Sequence, residues 1–256
     1  MEQHPQHASA ADRATTLAMS DAELLAVRDA GTPDIEGRSK RIWLLSGGLC
    51  VVEMIPSLRS FTYSRDELVE ETGPLRLEFY DRAAARLAKG GVRTGFVRRL
   101  APTVYLSEFH EAPPFEVVVK NRAVGSTLVK YPGLFPANSE LPKPVVKFDY
   151  RIDPEDQPIG EDYLRALDLP VEEFRRIALA VNDTLISWLA PLEVWDFCII
   201  LGLDPQGEPV LISEVSPDCM RLRHPDGSSL DKDLFRHGAS SEELVTAWQR
   251  LLDEIG

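Results

Sequence analysis

Cationic side chains and one carboxylate are concentrated near the C-terminus of the sequence, in a spacing that could serve an anionic ligand. Arg221, Lys232 and Arg236 supply the positive charge, and arginine is suited to two-point contact with phosphate or carboxylate. Asp218 lies just before them, where it could orient one of the arginines. Ser126, which follows a glycine, offers a hydroxyl and an accessible backbone N–H. This set predicts an anion pocket, and the alternative is a surface ion-pair network.

The apolar pattern predicts the elements that would position these residues. Ser20 and Glu23 form a capping-box pattern before a short helix, and Ser240 and Glu243 do the same before a C-terminal helix. Apolar stripes at helical spacing predict further helices at 75–89 and 172–189. Short apolar runs predict a β-hairpin over 42–55 and strands at 103–109, 115–119, 194–203 and 209–215. Strands that come first and helices that follow are typical of an α+β fold with two lobes.

We therefore expect three regions along the chain. Residues 1–36 should be a flexible segment with one short helix, disordered up to about Thr16 because the composition there is small and polar. Residues 37–119 should form a β-rich lobe. Residues 120–256 should form an α/β lobe, and the proline-rich stretch 132–158 within it should be irregular.

Composition narrows the classes of function. The chain has 256 residues, of which 44% are hydrophobic, and a formal net charge of −13. Such an acidic surface argues against nucleic-acid or membrane partners. The N-terminus has no apolar signal core, and the three cysteines, which are far apart, show no CxxC pairing. A cytoplasmic protein without a disulfide framework is the expectation.

Two ordered motifs carry a family resemblance. Residues 114–126 read PFEVVVKNRAVGS and are similar to P-x-E-x-V-x-R-x-x-x-A-G-S. Residues 212–221 read ISEVSPDCMR and are followed by SLDKDLFR at 229–236, which resembles D-E-x-S-P-D-x-x-R and its sequel D-K-D-x-F-R. Both are similar to signatures of the SAICAR synthetase family, the purine-pathway ligases that join aspartate to an aminoimidazole ribonucleotide. The resemblance implies an α+β fold with an N-terminal antiparallel sheet lobe and a larger C-terminal α/β lobe. It also implies that residues 37–119 form the nucleotide-side lobe and residues 120–256 the substrate-binding lobe.

The resemblance also implies roles for residues. Matching positions in the family hold the ribonucleotide phosphate and the carboxylates of the reactants, which gives the substrate-binding set Lys120, Ser126, Arg221, Lys232 and Arg236. The segment GRSKRIW at 37–43 is similar to the family's G-K-x-K-x-x-Y strand over the nucleotide phosphates. The implied nucleotide-binding set is Gly37, Arg38, Lys40, Glu116 and Lys147. Glu214 and Asp218 are the candidate acid or base.

The sequence departs from the family on the ATP and metal side. The family's D-F-K-x-E-F-G is DFCIILG at 196–202, so Cys198 replaces its lysine and Ile200 its glutamate. Ser213 stands where the family has an aspartate before Glu214, and Thr72-Gly73-Pro74 is the nearest remnant of a G-K-G stretch. Mg²⁺ requires hard oxygen ligands, which isoleucine lacks. We therefore predict no metal site, and leave ATP and Mg²⁺ open as cofactors.

Three functions follow as hypotheses. The favoured one is a divergent enzyme that acts on a phosphoribosylated imidazole or purine-like nucleotide, as relatives in coformycin- and pentostatin-type nucleoside antibiotic pathways do. The second is an orthodox ATP-dependent ligase that recruits Mg²⁺ through Glu214, Asp196 or Asp153. The third is a non-catalytic nucleotide-binding partner. A homo-oligomer is compatible with all three functions. Cys198 is either a nucleophile or, more commonly for a cysteine in an apolar strand, inert packing.

Overall fold

A computed structural model describes residues 9–60, 64–153 and 155–256 of the chain. The helices are α1 Ala10–Ala18, α2 Asp21–Ala30, α3 Thr72–Lys89, α4 Ser126–Lys130, α5 Glu161–Arg165, α6 Val171–Leu189, α7 Asp233–Arg236 and α8 Ser241–Glu254. The strands are β1 Ile35–Glu36, β2 Lys40–Leu45, β3 Leu49–Met54, β4 Ser57–Ser60, β5 Arg65–Leu68, β6 Phe96–Ala101, β7 Val104–Glu108, β8 Phe115–Arg122, β9 Glu140–Tyr150, β10 Gln157–Ile159, β11 Glu193–Ile199, β12 Leu201–Leu203, β13 Pro209–Leu211 and β14 Met220–Arg223.

The first sheet is antiparallel and has the strand order β1-β2-β3-β7-β6. The predicted hairpin is confirmed, with Ile42 opposite Val52 and Leu45 opposite Leu49. Side chains alternate between the two faces of a strand. Cys50 and Val52 therefore join the main core, whereas Val51 lies on the other face in a second, smaller core cluster.

Helix α2 covers that second face. Leu24 of α2 is fully buried and packs with Trp43, Leu49, Val51 and Leu106. The predicted capping box of Ser20 and Glu23 is present. Helix α2 therefore shields an apolar sheet face that would otherwise be exposed.

The expected disorder up to Thr16 was wrong for residues 10–16, which belong to α1. The Ser9 side chain accepts from the Asp12 backbone N–H at the helix start. Arg13 pairs with Glu108, and the Thr16 hydroxyl donates to the Ser46 carbonyl at 3.1 Å. Polar composition predicted disorder, but a few long-range polar contacts dock this helix. Residues 1–8, for which disorder was also expected, lie outside the described residues.

The second sheet is also antiparallel, in the order β10-β9-β8-β11-β14. The predicted helix at 172–189 is α6, and it packs against one face of this sheet. Phe174 of α6 and Phe115, Val117 and Val119 of β8 belong to the same core cluster. The alternation along β8 thus turns Glu116, Val118 and Lys120 to the opposite face.

The expectation of irregular structure over 132–158 was wrong at its centre, because β9 runs through it for 11 residues. Pro142 and Pro144 lie within β9, yet β10 pairs only with Phe148, Asp149 and Tyr150. The proline-bearing half of β9 therefore has β8 on one side and, among the described residues, no strand on the other. Proline is tolerated at such an edge because its missing N–H would have no partner there.

The strand predicted over 194–203 divides into two elements. β11 enters the second sheet, whereas β12 pairs with β13 as a separate hairpin. Ile200 lies at the change of direction, where its N–H donates to the Ser213 hydroxyl at 2.9 Å. A run of apolar residues predicts extended backbone but not the bend within it.

One contiguous core connects the two sheets. It contains Tyr105 of the first sheet, Phe79 of α3, and Phe197 of β11. The α+β fold with antiparallel sheets is confirmed, while the boundary expected between residues 119 and 120 falls inside β8. Among the described residues, no helix combines the length and apolarity that a bilayer crossing needs.

The packing of α2 gives a testable prediction. Leu24→Ala should lower the free energy of unfolding by about 2–4 kcal/mol, because it leaves a cavity under a fully buried side chain. Leu17→Ala is the control, since Leu17 of α1 is 37% exposed and should cost below about 1 kcal/mol. Urea denaturation measures both, and equal losses would show that the helices are not docked as described.

Candidate active site

The candidate site lies on the face of the second sheet that points away from α6. Lys120 on β8 is opposite Asp196 on β11, and Asp196 is opposite Arg221 on β14. The Lys120 ammonium, 3% exposed, donates to Asp196 Oδ2 at 2.8 Å and to the Val124 carbonyl at 3.2 Å. Arg221 Nη1 donates to the same carboxylate oxygen at 2.8 Å. Three adjacent strands therefore place two cations around one buried carboxylate.

Gly125 gives this cluster its close contact with the neighbouring loop. Its φ is +55°, which favours glycine, and a Cβ there would lie 2.8 Å from the Arg221 guanidinium. Ser126, the next residue, begins α4. The shared site of Ser126 and Arg221 stays a prediction, in which Gly125 is the recorded close approach between the two segments.

Asp233 is the second carboxylate that gathers cations. It accepts from Arg221 Nε at 3.0 Å, from Arg236 Nη1 at 2.7 Å and also from Arg223. Burial alone would raise the pKa of Asp233, but Arg221 and Arg236 hold that pKa at about 2. Asp233 is therefore ionised throughout the physiological range, and it fixes both arginines.

Lys232 and Asp218 form a third pair, at 2.8 Å between Nζ and Oδ1. Burial opposes ionisation of Asp218, but Lys232 and Arg76 lower the pKa of its carboxyl below the usual value. Lys120, Arg221, Lys232 and Arg236 are thus each held by one of three carboxylates, of which Asp196 and Asp233 are buried and Asp218 is half-buried. Each predicted cation is matched by a carboxylate of the protein itself.

The nucleotide-side residues are distributed over a wider area. Gly37 forms a tight turn in which its N–H donates to the Lys40 carbonyl at 2.9 Å. Arg38 contacts both oxygens of Asp153 at 2.5 and 2.6 Å in an exposed ion pair. Lys147 pairs with Asp149, the direct cross-strand neighbour of Glu116. The structure brings Glu116 and Lys147 together, but it places Gly37 and Arg38 at the end of the first sheet.

Glu116 has an altered acidity. Burial, together with the charges of Asp156 and Asp149, raises the pKa of its carboxyl to about 7. Asp149 Oδ1 is buried and has no hydrogen-bond partner among the described residues. Glu116 therefore holds a proton at slightly acidic pH beside a carboxylate that still has an acceptor to offer.

Glu214 does not stand alone as a candidate acid or base. Arg76 of α3 is 0% exposed, and its Nε and Nη2 donate to Glu214 Oε1 at 3.0 and 2.7 Å. Lys40 lies in the same cluster, where burial lowers the pKa of its ammonium and Glu214 raises it. The sequence analysis missed Arg76, because a single arginine inside an amphipathic helix gives no signal of its own.

The residues present do not fit a magnesium ion. Ile200 has no donor oxygen, and the Ser213 hydroxyl already accepts from the Ile200 N–H. Asp196 and Asp153, the alternative ligands, are paired with Lys120 and Arg38 and lie in different parts of the fold. No group of three or more potential His, Cys, Asp or Glu ligands forms a metal cluster in the described part of the chain.

Cys198 lies on β11 opposite Val118, on the face of the sheet that also carries Glu116. It is half-buried, lies outside both hydrophobic core clusters and interacts with the Glu116 carboxyl. Burial raises the pKa of its thiol well above the usual value. A protonated thiol is a poor nucleophile, so these surroundings do not favour the nucleophile alternative. All three cysteines are free.

Comparison with known proteins agrees with the motifs. A family model described as SAICAR synthetase matches residues 34–255. The chain is 31% identical over 232 residues to the phosphoribosylaminoimidazole-succinocarboxamide synthase of Methanocaldococcus jannaschii, covering 88% of this chain and 94% of that protein. It is 34% identical over 230 residues to the enzyme of that name from Shouchella clausii, covering 86% and 95%.

Solved structures give the same result. A SAICAR synthetase (Type-2) in complex with ADP has a TM-score of 0.80 and 27% identity, over 86% of this chain and 96% of that one. The SAICAR synthetase of Pyrococcus horikoshii OT3 has a TM-score of 0.77 and 26% identity, over 85% and 97%. Fold and similarity together define an enzyme of the carbon–nitrogen ligase class. The chain belongs to the SAICAR synthetase family.

The shared carboxylate of the site gives a stability prediction. Asp196→Asn should lower the free energy of unfolding by about 3–5 kcal/mol, because it leaves the buried Lys120 without its counter-charge. The control is Glu172→Gln, whose side chain is 78% exposed in its pair with Arg165 and should change stability by at most about 0.5 kcal/mol. Urea denaturation at neutral pH compares them, and a small loss for Asp196→Asn would contradict the network.

Glu116 gives a pH prediction. Its raised pKa, about 7, means that the folded state holds a proton which the unfolded chain, near 4.5, releases earlier. The stability of the fold that depends on protonated Glu116 is fully present below about pH 4.5 and is lost as the pH rises through 7. Glu116→Gln, which cannot ionise, should therefore gain melting temperature relative to the parent between pH 5 and pH 8. Glu140→Gln, an exposed change on β9, is the control, and parallel pH profiles for Glu116→Gln and the parent would disprove the assignment.

Proposed function

We propose that this chain is a divergent SAICAR synthetase-like enzyme that binds a phosphoribosylated imidazole or purine-like nucleotide. Its setting would be the biosynthesis of a purine-type nucleoside natural product of the coformycin or pentostatin type. The proposal is supported by the contrast between two sides of the site. The cationic side largely retains the motif residues, with Lys120 in place of an arginine. The side expected to hold ATP and Mg²⁺ has Ile200 and Ser213 in place of a glutamate and an aspartate.

The convergence of cations is the observation that carries the proposal. Arg221 and Arg236 meet at Asp233, and Arg221 is joined to Lys120 through Asp196. The Arg221 and Arg236 side chains are still 21% and 25% exposed. A guanidinium has five N–H donors, more than these carboxylates use. Two oriented, partly exposed arginines can bind a phosphate while their carboxylate partners keep them in place.

Acid–base chemistry falls to Asp218 and Glu214 in this proposal. Lys232 lowers the pKa of Asp218, so this carboxylate stays ionised and is suited to orient an amine or an arginine, whereas its basicity is weak. Glu214 is held by Arg76, so it would orient a ligand and carry negative charge. No step is assigned to a metal ion, because the residues at the expected metal positions are Ile200 and Ser213.

The orthodox ligase is the second candidate function, and the relatives favour it. The similar proteins carry the name phosphoribosylaminoimidazole-succinocarboxamide synthase, and a similar structure holds ADP. In that case the chain would join aspartate to the carboxyaminoimidazole ribonucleotide with release of phosphate from ATP. A non-catalytic nucleotide-binding partner is the third, supported by the pairing of both Glu214 and Asp218 with cations.

Calorimetric titration distinguishes these functions. We expect ribonucleotide monophosphates to bind with micromolar affinity, and ATP with Mg²⁺ to bind weakly, since the metal ligands are missing. The same protein is then assayed for turnover with aspartate, the imidazole carboxylate nucleotide and ATP. Magnesium-dependent micromolar ATP binding with phosphate release would establish the orthodox ligase instead. Tight monophosphate binding without turnover of any candidate substrate would favour the non-catalytic partner.

The role of the arginines gives a further prediction. Arg236→Ala should weaken monophosphate binding about 10- to 100-fold, the loss expected for one charge-assisted hydrogen bond to phosphate. Arg165→Ala is the matched control, because Arg165 is the last residue of α5 and belongs to an ion-pair cluster with Glu161 and Glu172, outside the cationic site. Calorimetry reports both affinities. Equal affinities for the two variants would remove Arg236 from the site.

A further inference from the structure

Arg76 is a buried cation at a junction of three parts of the chain. It lies in the first turns of α3, and its side chain is 0% exposed. Nε and Nη2 donate to Glu214 Oε1 at 3.0 and 2.7 Å, and Nη1 donates to the Ile55 carbonyl at 3.0 Å. A fully buried guanidinium is retained only where it is paired and hydrogen-bonded. All three of its nitrogens meet that condition.

The charges around Arg76 need no added cation to compensate them. Glu214 and Asp218, both of which interact with Arg76, supply two negative charges, and three cationic side chains surround them: Arg76, Lys40 and Lys232. Glu214 Oε2 is buried and has no hydrogen-bond partner among the described residues. A divalent cation brought to Glu214 would have to enter beside two fixed positive charges, which is electrostatically unfavourable.

We infer that Arg76 supplies, as a fixed part of the protein, the positive charge that a divalent cation would otherwise bring to Glu214, so that this site works without a metal ion. Arg76 acts through Glu214 and is a positioning residue. It also connects α3 to the segment after β3 and to the loop after β13. The inference deepens the proposed function. It rests on that function in one respect, which is the identity of the ligand bound near Glu214.

The experiment uses the protein without nucleotide. Thermal unfolding and calorimetry with MgCl₂, and with EDTA, are compared for the parent, Arg76→Ala and Arg82→Ala. Arg82 is the matched control, because it lies on the same helix in a half-exposed pair with Glu78. The parent and Arg82→Ala should show no metal-dependent change in melting temperature. Arg76→Ala should melt lower, and it should bind Mg²⁺ at least about tenfold more tightly than the parent once the guanidinium is gone.

Arg76→Gln covers the case in which Arg76→Ala does not fold. Glutamine keeps a donor toward Glu214 but removes the charge, so this variant should gain the same magnesium response. Specific Mg²⁺ binding by the parent would overturn the inference, as would the absence of any gain in the folded Arg76 variants. No nucleotide is present, so these results do not depend on which ligand the cationic cluster binds.

Discussion

A carboxylate in a protein interior stays ionised only where cations and hydrogen bonds compensate its burial, and this constraint shapes the whole site. Asp196 and Asp233 are 4% exposed each, and every cation predicted to bind substrate on β14 or α7 contacts one of them. The carboxylates thereby fix the positions of Arg221 and Arg236. A phosphate that reached this cluster would meet arginines already oriented, so little side-chain entropy would be lost on binding.

The second sheet makes this arrangement possible because its two faces have different surroundings. One face of β8 packs on α6 with Val117 and Val119, and the other carries Glu116 and Lys120. Cross-strand pairing then places Asp196 beside Lys120. Because side chains alternate along a strand, β8 directs apolar residues into the core and charged residues to the candidate site.

The two sides of the site differ in how their charges are supplied. On the side proposed to bind phosphate, the Arg221 and Arg236 side chains are partly exposed. On the other side, Arg76 is fully buried and holds Glu214 internally. Relatives that share the fold carry the name of a ligase, and the chain keeps that framework while Ile200 and Ser213 remove oxygen ligands from it. The structure is therefore consistent with a family framework in which the source of positive charge has changed.

Local patterns in the sequence determined most helices and strands. The capping boxes at Ser20 and Ser240, the stripe of α6 and the hairpin of β2 and β3 depend on residues a few positions apart, and all are present. The cationic residues were also predictable, because each of them belongs to a motif whose residues keep the spacing of the family signature. These features were predictable since both partners of each pattern lie close together in the chain.

Tertiary structure alone decided the features that join distant segments. The proline-bearing strand β9 forms because its edge position removes the penalty for a missing N–H, and α1 forms through contacts to Glu108 and Ser46. Arg76 and Glu214 are 138 residues apart, so no local pattern could pair them. The fold brings them together because a buried charge must find its opposite wherever the chain places it.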